Sequence, residues 1–174
     1  KSVNKIIGVY PHIEFALGLA PGFDSEKIKE SYNLSNIKVV SEKSIQLLEC
    51  CDLAIVTSGT ISLQAAFMGV PCIVGYKLSF LSWLISKMFI NVKYISMINI
   101  MLEKEIYPEL IQYNLSASNI LESVDTLLNN DGDYYNIKQD LVKIKNIFLK
   151  KNRAIENSAS IIYEVYDKKN FLKF

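Results

Sequence analysis

The run of residues best suited to bind a ligand is a Thr-Ser-Gly-Thr segment that directly follows an apolar stretch. Residues 53–56 are apolar, and Thr57, Ser58, Gly59 and Thr60 come next. A glycine lets the main chain turn tightly and approach a ligand closely, and the free amides at the start of a helix attract anions. The segment therefore predicts an anion site suited to a diphosphate, and an ordinary capped connection is the alternative.

A glutamine lies one helical turn further on. Gln64 follows Thr60 by four residues, so both side chains project from the same face of the helix predicted there. A side chain with two polar atoms at that place is suited to hydrogen-bond the two hydroxyls of a ribose. A glutamine exposed on the helix surface, with no ligand, is the alternative interpretation.

The elements predicted around this turn alternate between strand and helix. The predicted strands are residues 13–19 (a buried strand), 37–40, 53–56 and 72–76, with a short fifth strand at 93–96. The predicted helices are residues 2–10, 26–32 after an Asp24 cap, 42–51 after a Ser41 cap, 60–68, 80–89, 116–128 (capped at its start by Ser116), 135–149 and 152–166. Such alternation predicts an α/β fold, a Rossmann-like parallel sheet with helices on both faces. Ligands of such sheets bind beyond the carboxyl ends of the strands, where the Thr57–Thr60 turn lies.

Composition and charge exclude several classes of protein. Half of the 174 residues are hydrophobic and 21% are charged, which is typical of a globular chain rather than a disordered one. The 19 basic and 18 acidic side chains nearly cancel, which argues against a nucleic-acid partner because phosphate contacts need a concentrated basic face.

The cysteines and the apolar segments indicate the compartment. Cys50, Cys51 and Cys72 lack metal-ligand spacing, so we expect buried free thiols in a reducing environment and no metal. No secretion signal is recognisable at the start of the sequence. The longest apolar region, residues 71–85, carries Lys77 and falls short of the roughly 18 uninterrupted residues that a spanning helix needs. The sequence therefore predicts a cytoplasmic protein.

The longer string around the turn resembles a known family. Residues 51–71 look like the donor-binding segment of GT-B glycosyltransferases. The segments at 73–79 (with Tyr-Lys-Leu-Ser), 94–99 (with Ser-x-x-Asn) and 108–112 are similar to one branch, the lipid-A-disaccharide synthases. The resemblance extends from about residue 13 to residue 164 and implies the UDP-binding, carboxyl-terminal lobe of such an enzyme.

The resemblance also implies a reaction and roles for individual residues. The family transfers diacylglucosamine from its UDP derivative to an acylated glucosamine 1-phosphate with inversion, and it needs no obligatory metal or other cofactor. The implied nucleotide-binding residues are Val40 and Ser41 (main chain, uracil), Gln64 (ribose), Ser58, Gly59 and Thr60 (diphosphate) and Asn99 (donor or leaving group).

The sequence departs from the family in two respects. Gln64 stands where the family usually has glutamate, and we expect nucleotide affinity to be weaker by roughly 1–2 kcal/mol, the difference between charged and neutral hydrogen bonds. The acceptor lobe with its catalytic base, and the first strand and Pro-Gly-Ser-Arg loop of the donor lobe, are not found in the sequence. We therefore expect residues 1–174 to form a single nucleotide-sugar-binding domain that carries no catalytic residue and is inactive alone.

The resemblance implies several partners, and alternative functions stay open. The expected partners are the UDP-diacylglucosamine donor, the acylated acceptor, the amino-terminal lobe, and a membrane surface at the inner face of the inner membrane of a Gram-negative bacterium. Residues 78–90 are apolar on nearly every side and suit a helix at that surface, and a core helix, or one covered by the missing lobe or a second subunit, is the alternative. The rival functions are another GT-B enzyme of the muramyl-peptide transferase or sugar-nucleotide 2-epimerase type, and a catalytically dead gene fragment or binding module.

Overall fold

A computed structural model describes residues 1–32, 34, 37–57, 59–79, 82–83, 93–150 and 154–171. The strands in these ranges are Ala16–Leu19 (β1), Lys38–Ser41 (β2), Ala54–Thr57 (β3), Cys72–Tyr76 (β4) and Glu109–Ile111 (β5). The helices are Ser2–Val9 (α1), Ser25–Tyr32 (α2), Ser44–Glu49 (α3), Thr60–Phe67 (α4), Met97–Leu102 (α5), Ala117–Asn129 (α6), Asp131–Lys150 (α7) and Ala154–Phe171 (α8). A 3-10 turn, Gln112–Asn114, follows β5.

The strands form two parallel sheets. β1 pairs with β2, and β3, β4 and β5 pair in that order, all in parallel. Helices flank both sheets, so the predicted α/β fold with parallel strands is confirmed. In a doubly wound sheet one more strand would lie between β1 and β3. The expectation that the lobe has such a first strand, with its loop, stays a prediction.

The core surrounds the three-stranded sheet. Cys72, Ile73, Val74 and Gly75 of β4 are all buried. They pack with α4, α6 and α7 in one cluster that α1 also joins through Ile6. Gly75 packs closely against the Leu115 side chain, since a Cβ at Gly75 would lie 2.8 Å from Cδ1 of Leu115 and would require that side chain to move.

Several predicted boundaries are wrong. β1 begins at Ala16 rather than at residue 13, and it is half-exposed rather than buried. α3 begins at Ser44 with Lys43 at its N-cap, because Glu42 adopts a left-handed conformation (φ 59°) that breaks the helix. Ser41 is therefore the last residue of β2 and not a helix cap.

The predicted fifth strand is also wrong. Residues 93–96 are not a strand; they lead into α5, whose N-cap is Ser96. The strand that pairs with β4 is Glu109–Ile111, three residues long, which the sequence analysis did not find. Of the helix predicted at residues 80–89, the structure describes only residues 82 and 83, which are helical; the rest of it, and most of the apolar 78–90 segment, lies outside the described residues.

Two predicted caps are confirmed. Asp24 accepts hydrogen bonds from the amides of Glu26 and Lys27 at 3.0 and 3.3 Å. Ser116 caps α6 by accepting from the amide of Asn119 at 3.1 Å. Within the described ranges no helix combines the length and the apolar character needed to cross a membrane.

The thiols differ from the prediction in one respect. All three cysteines are free, and Cys72 is buried and Cys51 half-buried. Cys50 is exposed, so the prediction that it is a buried thiol is wrong. The reason is local, because Cys50 is the C-cap of the short helix α3 and lies past the buried Leu48.

Candidate functional site

The carboxyl ends of three parallel strands meet at one edge of the larger sheet. Thr57 of β3 lies in register with Gly75 of β4, and Tyr76 of β4 with Ile111 of β5. Three connections therefore leave the sheet at this edge: residues 57–60, 77–79 and 112–114. This is the place at which ligands of doubly wound sheets bind, and it includes the predicted diphosphate turn.

The turn from β3 into α4 depends on its glycine. Gly59 is the N-cap of α4 with φ 143° and ψ −155°, a region that only glycine adopts readily. A Cβ on Gly59 would meet no atom within 4 Å, so the requirement is conformational and not a matter of space. The exposed Thr60 begins α4, as predicted, and the amides of this first turn have no partner within the helix.

Ser62 supports the turn and was missed by the sequence analysis. It is fully buried, and its Oγ donates a hydrogen bond of 2.7 Å to the carbonyl of Gly59. The signal in the sequence is a single hydroxyl residue between the apolar Ile61 and Leu63, two residues into the helix. This bond fixes the main chain just before the exposed Thr60 at the start of α4.

The predicted ligand contacts of the turn are only partly described. Ser58 lies outside the described residues. Gln64 is half-buried on α4, one turn after Thr60, so the ribose contact and the surface interpretation both stay open. The contacts of Gly59 and Thr60 with a diphosphate stay predictions as well.

Asn99 has a different environment from the one predicted. Its side chain is fully buried on α5. Oδ1 accepts from the amides of Ile106 and Tyr107 at 2.8 and 2.9 Å, and Nδ2 donates to the carbonyl of Tyr107 and to Glu109 Oε1, both at 2.8 Å. These four bonds use the full hydrogen-bonding capacity of an amide. The described geometry thus gives Asn99 a structural role, and its contact with a donor or leaving group stays a prediction.

Glu109 joins Asn99 to the start of α5. Its carboxylate accepts from the amides of Ile95 and Ser96 at 2.8 Å each, besides the bond from Asn99. Ser96 is buried and its Oγ accepts from the amide of Asn99 at 3.2 Å. The Ser-x-x-Asn and Pro-Glu segments of the sequence are therefore one hydrogen-bonded unit that fixes α5 against the first residue of β5.

Gln112 holds the connection that leaves β4. Its Oε1 accepts from the amide of Leu78 at 2.9 Å, and its Nε2 donates to the carbonyl of Leu78 at 3.3 Å. Gln112 is buried and has a left-handed backbone with φ 53°. The Gln112 side chain thus bonds both main-chain groups of Leu78, and these bonds fix the path of the segment after Tyr76 at the edge of the sheet.

A sequence model of the family described as lipid-A-disaccharide synthetase matches residues 1–165. This match covers nearly the whole chain and includes the turn, the Asn99 unit and Gln112. The chain belongs to the lipid-A-disaccharide synthetase family.

Individual relatives agree with the family match. A lipid-A-disaccharide synthase of Rickettsia prowazekii (strain Madrid E) is 35% identical over 137 residues, which are 79% of this chain and 35% of that relative. A lipid-A-disaccharide synthase of Geobacter sulfurreducens is 30% identical over 170 residues, which are 97% of this chain and 44% of that relative. The chain thus spans less than half the length of these curated relatives.

The remaining predicted residues of this family member lie on the smaller sheet. Val40 and Ser41 end β2, in register with Gly18 and Leu19 of β1. In the described residues the two sheets meet through α3, whose Leu48 joins the core, and not through a strand pair. The contact of Val40 and Ser41 with a uracil stays a prediction.

The described part of this synthetase-family chain offers few residues for acid–base catalysis or for binding a metal ion. Burial raises the pKa of the Cys72 thiol to about 12. Burial also raises the pKa of Tyr107, whose hydroxyl donates to the carbonyl of Val70 at 2.8 Å. Both groups are neutral and structural. Among the described residues no three His, Cys, Asp or Glu side chains are grouped to hold a metal ion.

Proposed function

We propose that this chain is the donor-binding part of a lipid-A-disaccharide synthase and that it binds UDP-diacylglucosamine at the carboxyl edge of the β3–β4–β5 sheet. The observation that carries the proposal is Gly59, held in a conformation that only glycine adopts readily, at the junction of β3 and α4. Membership of the synthetase family and relatives with this name support the choice of donor. In this proposal residues 1–174 act as one nucleotide-sugar-binding domain.

The chemical role of the site is to hold the diphosphate and stabilise it as it leaves. In an inverting transfer the acceptor hydroxyl attacks the anomeric carbon, the bond to the diphosphate breaks, and negative charge develops on the departing UDP. Fixed amides aimed at that charge stabilise the transition state without reorganising. The amides at the start of α4, held by the Ser62–Gly59 bond, are suited to this task. The proton of the acceptor hydroxyl goes to a base that we assign to another part of the enzyme.

The partners follow from the proposed reaction. The acceptor is an acylated glucosamine 1-phosphate, and an amino-terminal lobe binds it. Because both sugars carry acyl chains, the proposed location is the cytoplasmic face of the inner membrane of a Gram-negative bacterium, with peripheral contact. The family match favours this function over a muramyl-peptide transferase, a 2-epimerase or a decayed fragment.

The experiment that tests the proposed site is calorimetric titration of the chain with UDP. Gly59→Val forces a side chain into a backbone region that it cannot adopt without strain of about 1–3 kcal/mol, so the turn must move and UDP affinity should fall by at least about tenfold. Gly8→Val is the matched control, because Gly8 is exposed near the end of α1 and a Cβ there meets no atom within 4 Å. Equal UDP affinity in Gly59→Val and the unaltered chain would contradict the site.

A second titration separates the proposed donor from those of the rival enzymes. The chain is titrated with UDP, UDP-N-acetylglucosamine and UDP-diacylglucosamine under identical conditions. Tighter binding of the diacylated donor supports the proposed function. A preference for UDP-N-acetylglucosamine would favour a muramyl-peptide transferase or a 2-epimerase, and no binding of any of the three would favour the non-enzymatic rival.

A further inference from the structure

Gln112 has an unusual backbone conformation directly after β5, at the carboxyl edge of the larger sheet. A non-glycine residue with φ 53° is uncommon, and glutamine is not among the types enriched there. The conformation turns the side chain so that it bonds both main-chain groups of Leu78. Backbone outliers that are held in place by their surroundings occur preferentially at functional sites. A side chain next to the fixed main chain of Leu78 is therefore a candidate for a role in the site.

That side chain is Lys77. It comes directly after β4 and directly before Leu78, and it is exposed. Gly75, two residues before Lys77, lies in register with Thr57, the residue at which the diphosphate turn begins. Neighbouring strands lie roughly 4.8 Å apart, so a lysine at this place is within side-chain reach of a ligand bound at the turn.

The charge of Lys77 is not used within the described chain. The lysines at positions 27, 29, 38, 104 and 143 each form an ion pair with a carboxylate. In the part of the chain that the structure describes, no carboxylate lies within ion-pair distance of Lys77. A cation next to a fixed main-chain segment, and without a carboxylate partner in the described residues, is suited to bind an anion from solution.

We propose that Gln112 is a positioning residue which fixes the segment after β4 so that Lys77 supplies a positive charge to the diphosphate of the nucleotide. The inference rests on the proposed function, because it takes the Thr57–Thr60 turn to be the diphosphate site. It adds to that site a cation from the segment directly after β4, beside the uncharged amides of α4. As UDP leaves, Lys77 offsets part of the charge that develops on the diphosphate.

The first experiment measures UDP affinity by calorimetry at low and high NaCl concentrations. Lys77→Met should weaken UDP binding about tenfold at low salt, the range of a charge-assisted hydrogen bond, and should make the affinity less dependent on salt. Lys77→Arg should retain both the affinity and the salt dependence. Lys145→Met is the matched control, since Lys145 is an exposed lysine on α7 and its loss should change neither quantity.

The second experiment tests the positioning role. Gln112→Met keeps the length of the side chain but removes both bonds to Leu78, and it should weaken UDP binding as Lys77→Met does. The double variant should bind no more weakly than Lys77→Met alone, because the effect of Gln112 acts through Lys77. If Gln112 has only a structural role, Gln112→Met should instead lower the unfolding midpoint. Its effect on UDP affinity should then be independent of Lys77, so the effects of the two substitutions should multiply in the double variant. Gln139→Met, an exposed glutamine on α7, is the control.

The outcomes distinguish this inference from the proposed function. If the unaltered chain does not bind UDP, both are overturned. If it binds UDP and Lys77→Met binds equally well with the same salt dependence, only the role of Lys77 is overturned and the proposed function stands. If Lys77→Met is weakened but Gln112→Met is not, the positioning role of Gln112 is overturned.

Discussion

The central strand of the larger sheet, β4, is more fully buried than either strand of the smaller sheet. In the three-stranded part, four of the five residues of β4 are buried. In the two-stranded part, β1 has one buried residue, Leu19, and β2 has none. β4 and β1 are both short and mainly apolar in sequence. The comparison shows that an apolar pattern predicts a strand but does not tell whether other elements cover its faces.

The three-stranded part, which is the larger sheet and the helices on it, and the two-stranded part, which is β1, β2 and their neighbours, are also held together by different kinds of contact. In the three-stranded part, the buried amide of Asn99 and the carboxylate of Glu109 join α5 to β5 through short hydrogen bonds. In the two-stranded part, the ion pair of Glu14 with Lys38 is exposed on both sides. Buried and saturated networks are costly to break, whereas exposed pairs contribute little. We therefore expect stability to be uneven, with the lower stability in β1 and β2.

The largest expected difference between the parts comes from truncating one strand residue in each. Ile73→Ala in β4 removes a side chain that is 0% exposed and should reduce the free energy of unfolding by about 3–4 kcal/mol. Leu17→Ala in β1 removes a half-buried side chain and should cost about 1 kcal/mol, since less apolar area returns to water. Urea unfolding followed by circular dichroism measures both. Equal losses in the two variants would show that β1 is as well covered as β4.

A smaller effect is expected from the polar network. Asn99→Ala leaves the amides of Ile106 and Tyr107 buried without their acceptor, and it should cost about 2–3 kcal/mol. Asn136→Ala on α7 is the matched control, because Asn136 is exposed and should change stability by less than about 0.5 kcal/mol. If the two variants unfold alike in urea, the hydrogen bonds of Asn99 do not stabilise the three-stranded part.

The sequence predicted best what depends on neighbours along the chain. The caps at Asp24 and Ser116 are contacts within three residues, and the start of α4 follows from the glycine before Thr60. The alternation of strands and helices predicted the parallel arrangement, because successive βαβ units permit little else. The family resemblance was likewise carried by a continuous string around the turn and is confirmed by the family match.

The sequence failed where the determinant is a distant residue. β5 has three residues and too little pattern to be recognised, and it exists because Glu109, Leu110 and Ile111 pair with β4. The Ser-x-x-Asn segment suggested ligand contacts, yet the side chain of Asn99 bonds residues seven to ten positions later. Its partners are fixed by tertiary packing, so residue type and spacing alone could not distinguish a buried amide from one that faces a ligand.

The smallest expected effect is the contribution of the ion pairs in each part to the free energy of unfolding, and the change of that contribution with pH. The side chains of Lys104 and Lys143 donate to Asp140 and hold the pKa of that carboxyl below its usual value, and Asp140 is only 12% exposed. A lowered pKa in the folded state stabilises the protein above the unfolded pKa of about 4, and the gain is lost as the pH falls through the folded value. Because both lysines are largely exposed, Asp140→Asn should cost only about 1 kcal/mol at pH 7 and nothing near pH 2.

Glu14 provides the matching measurement in the two-stranded part. The hydrogen bond from Lys38 lowers the pKa of Glu14 as well, but the pair is exposed to solvent on both sides. Water and salt screen such a pair, so Glu14→Gln should leave the pH dependence of the unfolding free energy unchanged within error. Urea titrations of both variants from pH 2 to pH 7 decide the comparison. A loss at pH 7 in Glu14→Gln as large as that in Asp140→Asn would show that β1 and β2 depend on their ion pair, and that the uneven stability inferred from burial is wrong.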